Sequence, residues 1–559
     1  MNKKLILSLL AGLAFVGAIV AFILGRHKGD DYCSVIPKDA VMVARVAPVE
    51  LLRKNDIELD ELADQVGDGK RFVKMGISYL KGCGVDITRP FYFFMDGNGC
   101  LGACCAISDK KDFVSVIKNE MRTEVIEHDG YSWVNLGSED ATLCFDGKKL
   151  LFYASIRGQK VFDDDVVALM SQGADESVMK TPLYQQIIDT NKSLAVNMDY
   201  SGFMDLAKAL DTTGEMSAIS AVGMLLPACN MLYTMDIEGS QIQSAYDLLA
   251  HDEKGEKELK EFFSNLPQIE GGKSVQGLKN PLGWLCFNFP GSKVMDFVQQ
   301  IPGAKDALAQ IVQKVDIPTL LGSIDGDVTL SLGNNIPGKQ PEFLLLANTT
   351  KDKKFVSVLQ SLVGLSGSDV ALVRDDASHF HITQKTWDYS QVWNDSHVFD
   401  MDDESSVDSD EDDYFDELDE LTDDDFGFDE EEIVPEATAT TKTVAYLRVL
   451  YDQLMLTNAT SVKDMTKFDT DAFSLYASDM KGCLLYGVFD VQELIKQLRV
   501  VVTNDADVRL LKALKNIKDV VVKVEGSHGE FNINMADGKK VKDVAVEIAN
   551  IFSSAFIGH

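Results

Sequence analysis

The feature that most constrains the fold of this chain is internal repetition, which has to be read before any motif because it sets how many units must fold. The run Ser108-Asp-Lys-Lys-Asp-Phe-Val-Ser-Val-Ile117 returns as Thr350-Lys-Asp-Lys-Lys-Phe-Val-Ser-Val-Leu359, each directly behind a β-like run, Cys104 to Ile107 and Phe343 to Ala347. At the same offset Pro48, closing the run Val41 to Val46, meets Pro290, closing Trp284 to Phe289. Further on, Asp236-Ile-Glu-Gly-Ser240 returns as Lys523-Val-Glu-Gly-Ser527, and the helix-period stretch Phe203 to Leu210 ahead of it matches Val491 to Leu498. The offset has grown there by about 45 residues, most of which an acidic stretch between the two sets of landmarks accounts for. We therefore expect a first unit over 35–270, a second over 278–398 and 436–559, and an insert over 399–435.

Local signals give the content of each unit. Asp96-Gly-Asn-Gly, Asp129-Gly130, Asp146-Gly147, Gly239-Ser240 and Asp537-Gly538 stand between apolar runs. Such pairs tolerate the positive φ of tight hairpin turns, so antiparallel sheets are expected. Helix-period stretches lie between them: Lys111 to Glu120, Tyr200 to Leu210, Lys254 to Phe263, Lys353 to Leu362, Val491 to Leu498 and Val541 to Phe552. The fold class is α+β: two tandem homologous units, each of antiparallel sheets with packed helices, after one N-terminal transmembrane helix. Duplicated sheets of this kind are expected to lie side by side and to leave a cleft or a continuous surface between them.

Leu5 to Leu24 carries no charged residue, and twenty residues of helix span a hydrocarbon core of roughly 30 Å. Residues 1–30 are read as an uncleaved signal anchor, because a cleaved h-region is shorter and no good small-x-small site follows. Lys3 and Lys4 precede the run but Arg26 and Lys28 follow it, so flanking charge does not orient it. Cys33 follows Asp-Asp-Tyr, which is a poor acylation context.

The formal charge of −35 argues against a nucleic-acid or anionic-membrane binder, since each phosphate contact needs a Lys or Arg, and any macromolecular partner of the acidic part is expected to be basic or cationic. About twenty residues between Asp400 and Glu432 are Asp or Glu and none is Lys or Arg, a density that stays solvated. Through it run Tyr414, Phe415, Leu418, Leu421, Phe426 and Phe428, the residues we name as a possible partner-binding set. The alternatives for this insert are a plain solvated loop and a sink for divalent cations. It lacks the Asp-x-Asp-x-Asp-Gly register of an EF-hand.

Catalytic and metal-binding patterns are thin. Glu270-Gly-Gly-Lys-Ser274 ends like a phosphate loop, but Pro267 stands where the first glycine belongs, and it reads as a linker. Cys83, Cys100, Cys104 and Cys105 lack the paired spacing of a zinc site and read as core thiols, like Cys144, Cys229, Cys286 and Cys483 in apolar runs. His379 and His381 flank Phe380 on a β-like run and share a face; no third metal ligand can be named. Gly526-Ser-His-Gly529 holds a serine beside a histidine, yet its Glu525-Gly-Ser527 repeats Glu238-Gly-Ser240 and so reads as turn chemistry. We expect no cofactor, no metal and no assignable catalytic residue.

The segment Tyr32-Cys-Ser-Val-Ile-Pro-Lys-Asp-Ala-Val-Met-Val-Ala-Arg-Val46 resembles the opening of a family of uncharacterised Bacteroidales cell-envelope proteins of comparable length. In that family a Val-Ile-Pro-x-Asp-Ala motif, here Val35 to Ala40, starts the mature domain behind an export signal. The resemblance implies export and attachment to the cell envelope, with the folded part in the periplasm, and brings no known activity or binding residue. Many members look like lipoproteins, whereas this chain lacks a lipobox. The expectation is a binding or structural module for an unidentified envelope protein; the runners-up are a hydrolase or transferase with its site in the cleft between units, and cation sequestration by the insert.

Overall fold

The structure is a computed structural model. Its described residues are 30–47, 50, 54, 82–119, 122–134, 136, 139–210, 226–271, 277–279, 281–293, 316–333, 341–350, 354–365, 367–388, 438–450, 452–459, 468–469, 473–498 and 511–547. The apolar run 5–24 and the acidic insert 399–435 lie outside them. Among the described residues no helix is long and apolar enough to cross a membrane.

The chain is a mixed α+β protein in which all strand pairing is antiparallel among the described residues. The N-terminal strands are β1 (Ala40–Val46), β2 (Phe91–Asp96), β3 (Cys100–Ala106), β4 (Val125–His128), β5 (Tyr131–Val134), β6 (Ala141–Phe145), β7 (Lys149–Ser155), β8 (Leu194–Asp199), β9 (Cys229–Glu238) and β10 (Gln241–Ala250). There follow β11 (Gly277–Leu278), β12 (Gly283–Pro290), β13 (Ile324–Leu332), β14 (Phe343–Thr349), β15 (Val370–Arg374) and β16 (His379–Asp388). The last are β17 (Thr438–Val449), β18 (Gln453–Thr457), β19 (Phe468–Asp469), β20 (Leu485–Asp490), β21 (Ile517–Glu525) and β22 (His528–Met535). Among the described residues strands β11 and β19 form a ribbon of their own, and the others make one 20-stranded sheet.

Neighbour by neighbour, one half of that sheet runs β4-β5-β6-β7-β3-β2-β1-β8-β9-β10. It continues through the β10–β22 pair into β22-β21-β20-β12-β13-β14-β18-β17-β16-β15. Followed inward from either edge, the strands come in the same succession of hairpins and crossovers.

The turns explain the local register. Asp129 and Gly130 both take positive φ, at 53° and 82°, and close the two-residue β4–β5 hairpin as a type I′ turn demands. Gly239 and Gly526, at 61° and 56°, are each followed by a serine and close the β9–β10 and β21–β22 hairpins, with glycine first as in a type II′ turn. Asp146 caps the β6–β7 turn by accepting from the Lys148 and Lys149 amides. Asp537-Gly538 is different: it leads from β22 into the helical stretch 541–547 and not into another strand. There the Lys540 amide donates to the Asp543 carboxylate at 2.9 Å, and the Val541 amide donates to the Gly239 carbonyl of the β9–β10 turn at 3.2 Å.

Helices form where periodicity and caps agree. The helix Lys110–Asn119 starts at Asp109, whose carboxylate accepts from the Lys111 and Asp112 amides. Asp252 does the same for Glu253–Ser264 through the Gly255 amide. Asp490 caps Val491–Leu498 through the Glu493 amide. The helices Asp163–Ser171, Pro182–Asp189, Ile317–Gly322 and Ala477–Met480 were not among the stretches expected from sequence.

The largest N-terminal core gathers Val43, Tyr92, Phe94, Cys104, Leu151 and Leu232 from the sheet beneath the Asp163–Ser171 and Pro182–Asp189 helices. Into it packs the entry segment, where Tyr32, Cys33, Ser34 and Val35 of the turn Asp31–Val35 are all buried. The Tyr32 hydroxyl donates to the Pro90 carbonyl at 2.6 Å, the Tyr92 hydroxyl donates to Asp30 at 2.7 Å, and the Arg89 guanidinium lies 4.4 Å from the Tyr32 ring centroid. In the C-terminal half Trp284, Phe473, Tyr476 and Tyr486 form an aromatic cluster, with Trp284 and Phe473 centroids 4.3 Å apart.

Candidate functional site at the seam

The junction of the two halves of the sheet is the antiparallel pair β10–β22, whose ladder runs from Gln241↔Asn534 through Ser244↔Phe531 to Asp247↔His528. Leu248 N–H donates to the Ser527 carbonyl at 2.9 Å, one residue beyond that ladder. Antiparallel bonding alternates by two, so Tyr246, Ser244 and Ile242 stand in the hydrogen-bonded pairs. Side chains close over the strands: the Gln241 amide donates to Asn534 at 2.9 Å, and the Tyr246 ring lies directly over Gly529, where a Cβ would fall inside van der Waals contact with the ring.

An ionic group crosses the seam. His528 Nδ1 meets Asp247 Oδ1 at 2.8 Å and its Nε2 meets Glu530 Oε1 at 3.2 Å. Burial lowers the imidazole pKa, but the hydrogen bonds to Asp247 and Glu530 outweigh it and the net shift is upward. On the neighbouring strand Lys523 pairs with Glu525 at 2.9 Å; this bond lowers the Glu525 pKa and raises that of Lys523. The Cys483 thiol donates to the same carboxylate at 3.6 Å and is pushed up to about 11, chiefly by burial.

Beside this group lies a cavity of about 580 Å³ between the end of β10, the helix Glu253–Ser264 and the β21–β22 turn. Leu248, Leu259 and Phe263 give it an apolar wall, while Glu256, Lys260 and Glu525 are its charged lining. Glu256 and Lys260, four apart on the helix, pair at 2.6 Å. On the far side Gln186 accepts from the Asn197 and Asn230 amides at 2.7 and 3.0 Å, and Asn230 Oδ1 meets His251 Nε2 at 2.9 Å. The arrangement is an open cleft that presents one apolar wall beside a few hydrogen-bonding groups.

The sequence candidates fall elsewhere or prove structural. Tyr414, Phe415, Leu418, Leu421, Phe426 and Phe428 lie outside the described residues. In the glycine-rich linker the Glu270 and Gly271 amides donate to the carboxylate of buried Asp327, both at 2.9 Å, so the chain's own carboxylate occupies the N–H groups a phosphate would use. His379 and His381 pair through Nδ1 with Asp376 and Asp375, each at 2.8 Å, and brace the β15–β16 turn. Among the described residues no group of three or more His, Cys, Asp or Glu side chains is placed to hold a metal. All nine cysteines are free; Cys100 is half-buried and the rest are buried. Asp247, Gln186 and Lys260 were not singled out from sequence. The signal that marked the place was the repeated Glu-Gly-Ser, with histidine after the second copy where glutamine follows the first.

Fold and seam together define a mixed α+β protein, antiparallel among the described residues, with an open cleft beside the β10–β22 pair. The chain belongs to the family described as Domain of unknown function (DUF4836), whose profile matches residues 32–391. That match ends just past β16, at the threshold of the stretch that holds the acidic insert. No curated protein matches. Among solved structures, crystal form IV of TP0453 is similar at a TM-score of 0.26 and 11% identity, over 39% of this chain and 80% of that one. Crystal form III of TP0453 gives 0.26 and 10% over the same shares.

Proposed function

We propose that this chain is a cell-envelope protein anchored to a membrane through residues 5–24, with its folded part in the periplasm, and that it acts by recognition, as a binding or structural module for another envelope component with a basic surface. The observation that carries the reading is the state of the seam cavity: each of its charged lining groups already has an opposite partner, Glu256 with Lys260 and Glu525 with Lys523. Paired groups of this kind orient and select; they are not poised as a nucleophile with its base. We further read the two halves as tandem copies of one unit, the second interrupted by the insert. The repeated strand succession supports this, as do the two Gly-Ser turns that bring equivalent hairpins to the seam.

Crosslinking and pull-down from membranes tests the proposal, with the full chain compared with one lacking 399–435. Capture of the same basic envelope protein by both places recognition on the folded halves, and its loss on deletion places it on the insert. Absence of any specific partner with either chain refutes recognition. The cavity also favours a second reading, a hydrolase or transferase acting there; turnover of an acyl, phosphoryl or glycosyl model substrate that Glu525→Gln abolishes would establish it instead.

A further inference from the structure

On the reading of the two halves as tandem copies, which this inference rests on, the seam joins equivalent edges. The shift that carries Ser240 onto Ser527 carries Gln241 onto His528, Ser244 onto Phe531 and Asp247 onto Asn534. Under it the facing pair Gln241↔Asn534 exchanges with Asp247↔His528, Ile242↔Ile533 exchanges with Tyr246↔Gly529, and Ser244↔Phe531 maps onto itself. Outward from that central pair, β9 and β21, β8 and β20, and β1 and β12 follow in step. The same edge meeting itself in antiparallel fashion is the isologous contact of a two-fold homodimer; a head-to-tail repeat would have joined β10 to the far edge at β15.

We propose that this edge is self-complementary, so that the partner it fits, whenever its sibling half is not in place, is a second copy of the same half. Paired about Ser244, two copies of β10 set Ile242 against Tyr246 and Gln241 against Asp247. Two copies of β22 paired about Phe531 set His528 against Asn534 and Glu530 against Asn532. Neither pairing opposes like charges, which is the arrangement that would forbid it. Hydrogen bonding of the edge is main-chain and indifferent to which copy supplies it.

The test uses the full chain with a protease site placed within 272–276. After cleavage the two polypeptides are mixed with a 15N-labelled preparation in mild urea, returned to buffer and weighed by native mass spectrometry. The expected result is homodimers of each half beside the original pairing, at no less than about a tenth of it, which corresponds to a difference of up to about 1.4 kcal/mol. A Ser244→Cys version treated with diamide is expected to link N-terminal halves to each other, because directly opposed hydrogen-bonded residues lie about 5.5 Å apart at Cα, within disulfide reach. Ser244→Pro, which removes the central N–H, is expected to abolish that homodimer. Recovery of only the original pairing and single halves overturns the proposal. So does a homodimer that Ser244→Cys fails to link, or a half that loses its structure on separation and regains it only with its sibling. The outcome is independent of whether any envelope partner is found.

Discussion

Gly529→Ala, made alone and on a Tyr246→Ala background, isolates what closes the seam. The ideal Cβ at Gly529 would overlap the Tyr246 ring, including its hydroxyl oxygen at 2.8 Å, so the ring has to swing away from the strand. Inserting an atom into a filled contact costs about 1–3 kcal/mol. Against this stands the gain of about 0.5–1 kcal/mol from replacing glycine in a strand. The net expected loss is about 1–2 kcal/mol with Tyr246 present, and a small gain once the ring is gone, so the two changes couple by about 1–3 kcal/mol. Native-state hydrogen exchange of the amides in 241–248 and 527–534 reads this locally, without requiring the whole chain to unfold in one step. Gly529→Ala is expected to speed their exchange by about 5- to 30-fold, and not at all in the Tyr246→Ala protein. Equal acceleration in both backgrounds refutes the reasoning, because the cost would then come from the backbone at position 529 and not from the ring.

Three further outcomes are expected. Because the folded pKa of His528 is raised, its contribution is full below the unfolded value near 6.5 and fades as pH rises through the higher folded one. Its side chain is 40% exposed, so solvent limits the loss to under about 1 kcal/mol; urea midpoints between pH 6 and 8.5 should fall in the parent and stay flatter in His528→Gln. Asp327→Ala strands the Glu270 and Gly271 amides and should cost about 2–4 kcal/mol in the C-terminal half, read by denaturation and by faster exchange at 269–271. With a thiol reagent under native conditions, Cys100 is expected to react first and the other cysteines only as fast as the fold opens, as peptide mapping would show.

Much of the local structure was legible because local chemistry dictates it. The Asp129-Gly130 and Gly239-Ser240 turns, and the helices Tyr200–Leu210 and Glu253–Ser264, stand where turn residues and apolar period place them. The two stretches compared in sequence, Phe203 to Leu210 and Val491 to Leu498, are both helical, and each helix begins directly after an aspartate, Asp199 and Asp490. What stayed hidden is long-range. Nothing in Gln241–Ala250 says that its free side meets His528–Met535, because any strand edge offers the same main-chain groups and the choice is made by folding of everything between. The Asp327 carboxylate beneath the linker was hidden for the same reason. Glu270-Gly-Gly-Lys-Ser274 announces amides that want an anion, but the anion arrives from a strand more than fifty residues further along the chain.

The seam also fixes a timetable for synthesis. The N-terminal half is complete once β10 and the Glu253–Ser264 helix have emerged, but β22 is among the last strands made. At about 5–20 residues per second the interval between them is roughly 15 to 55 s, during which the seven residues Gln241 to Asp247 have no β22 to pair with. The order in which the chain is delivered to the place where it folds, as much as the stability of the finished sheet, therefore bears on whether β10 waits for its own β22.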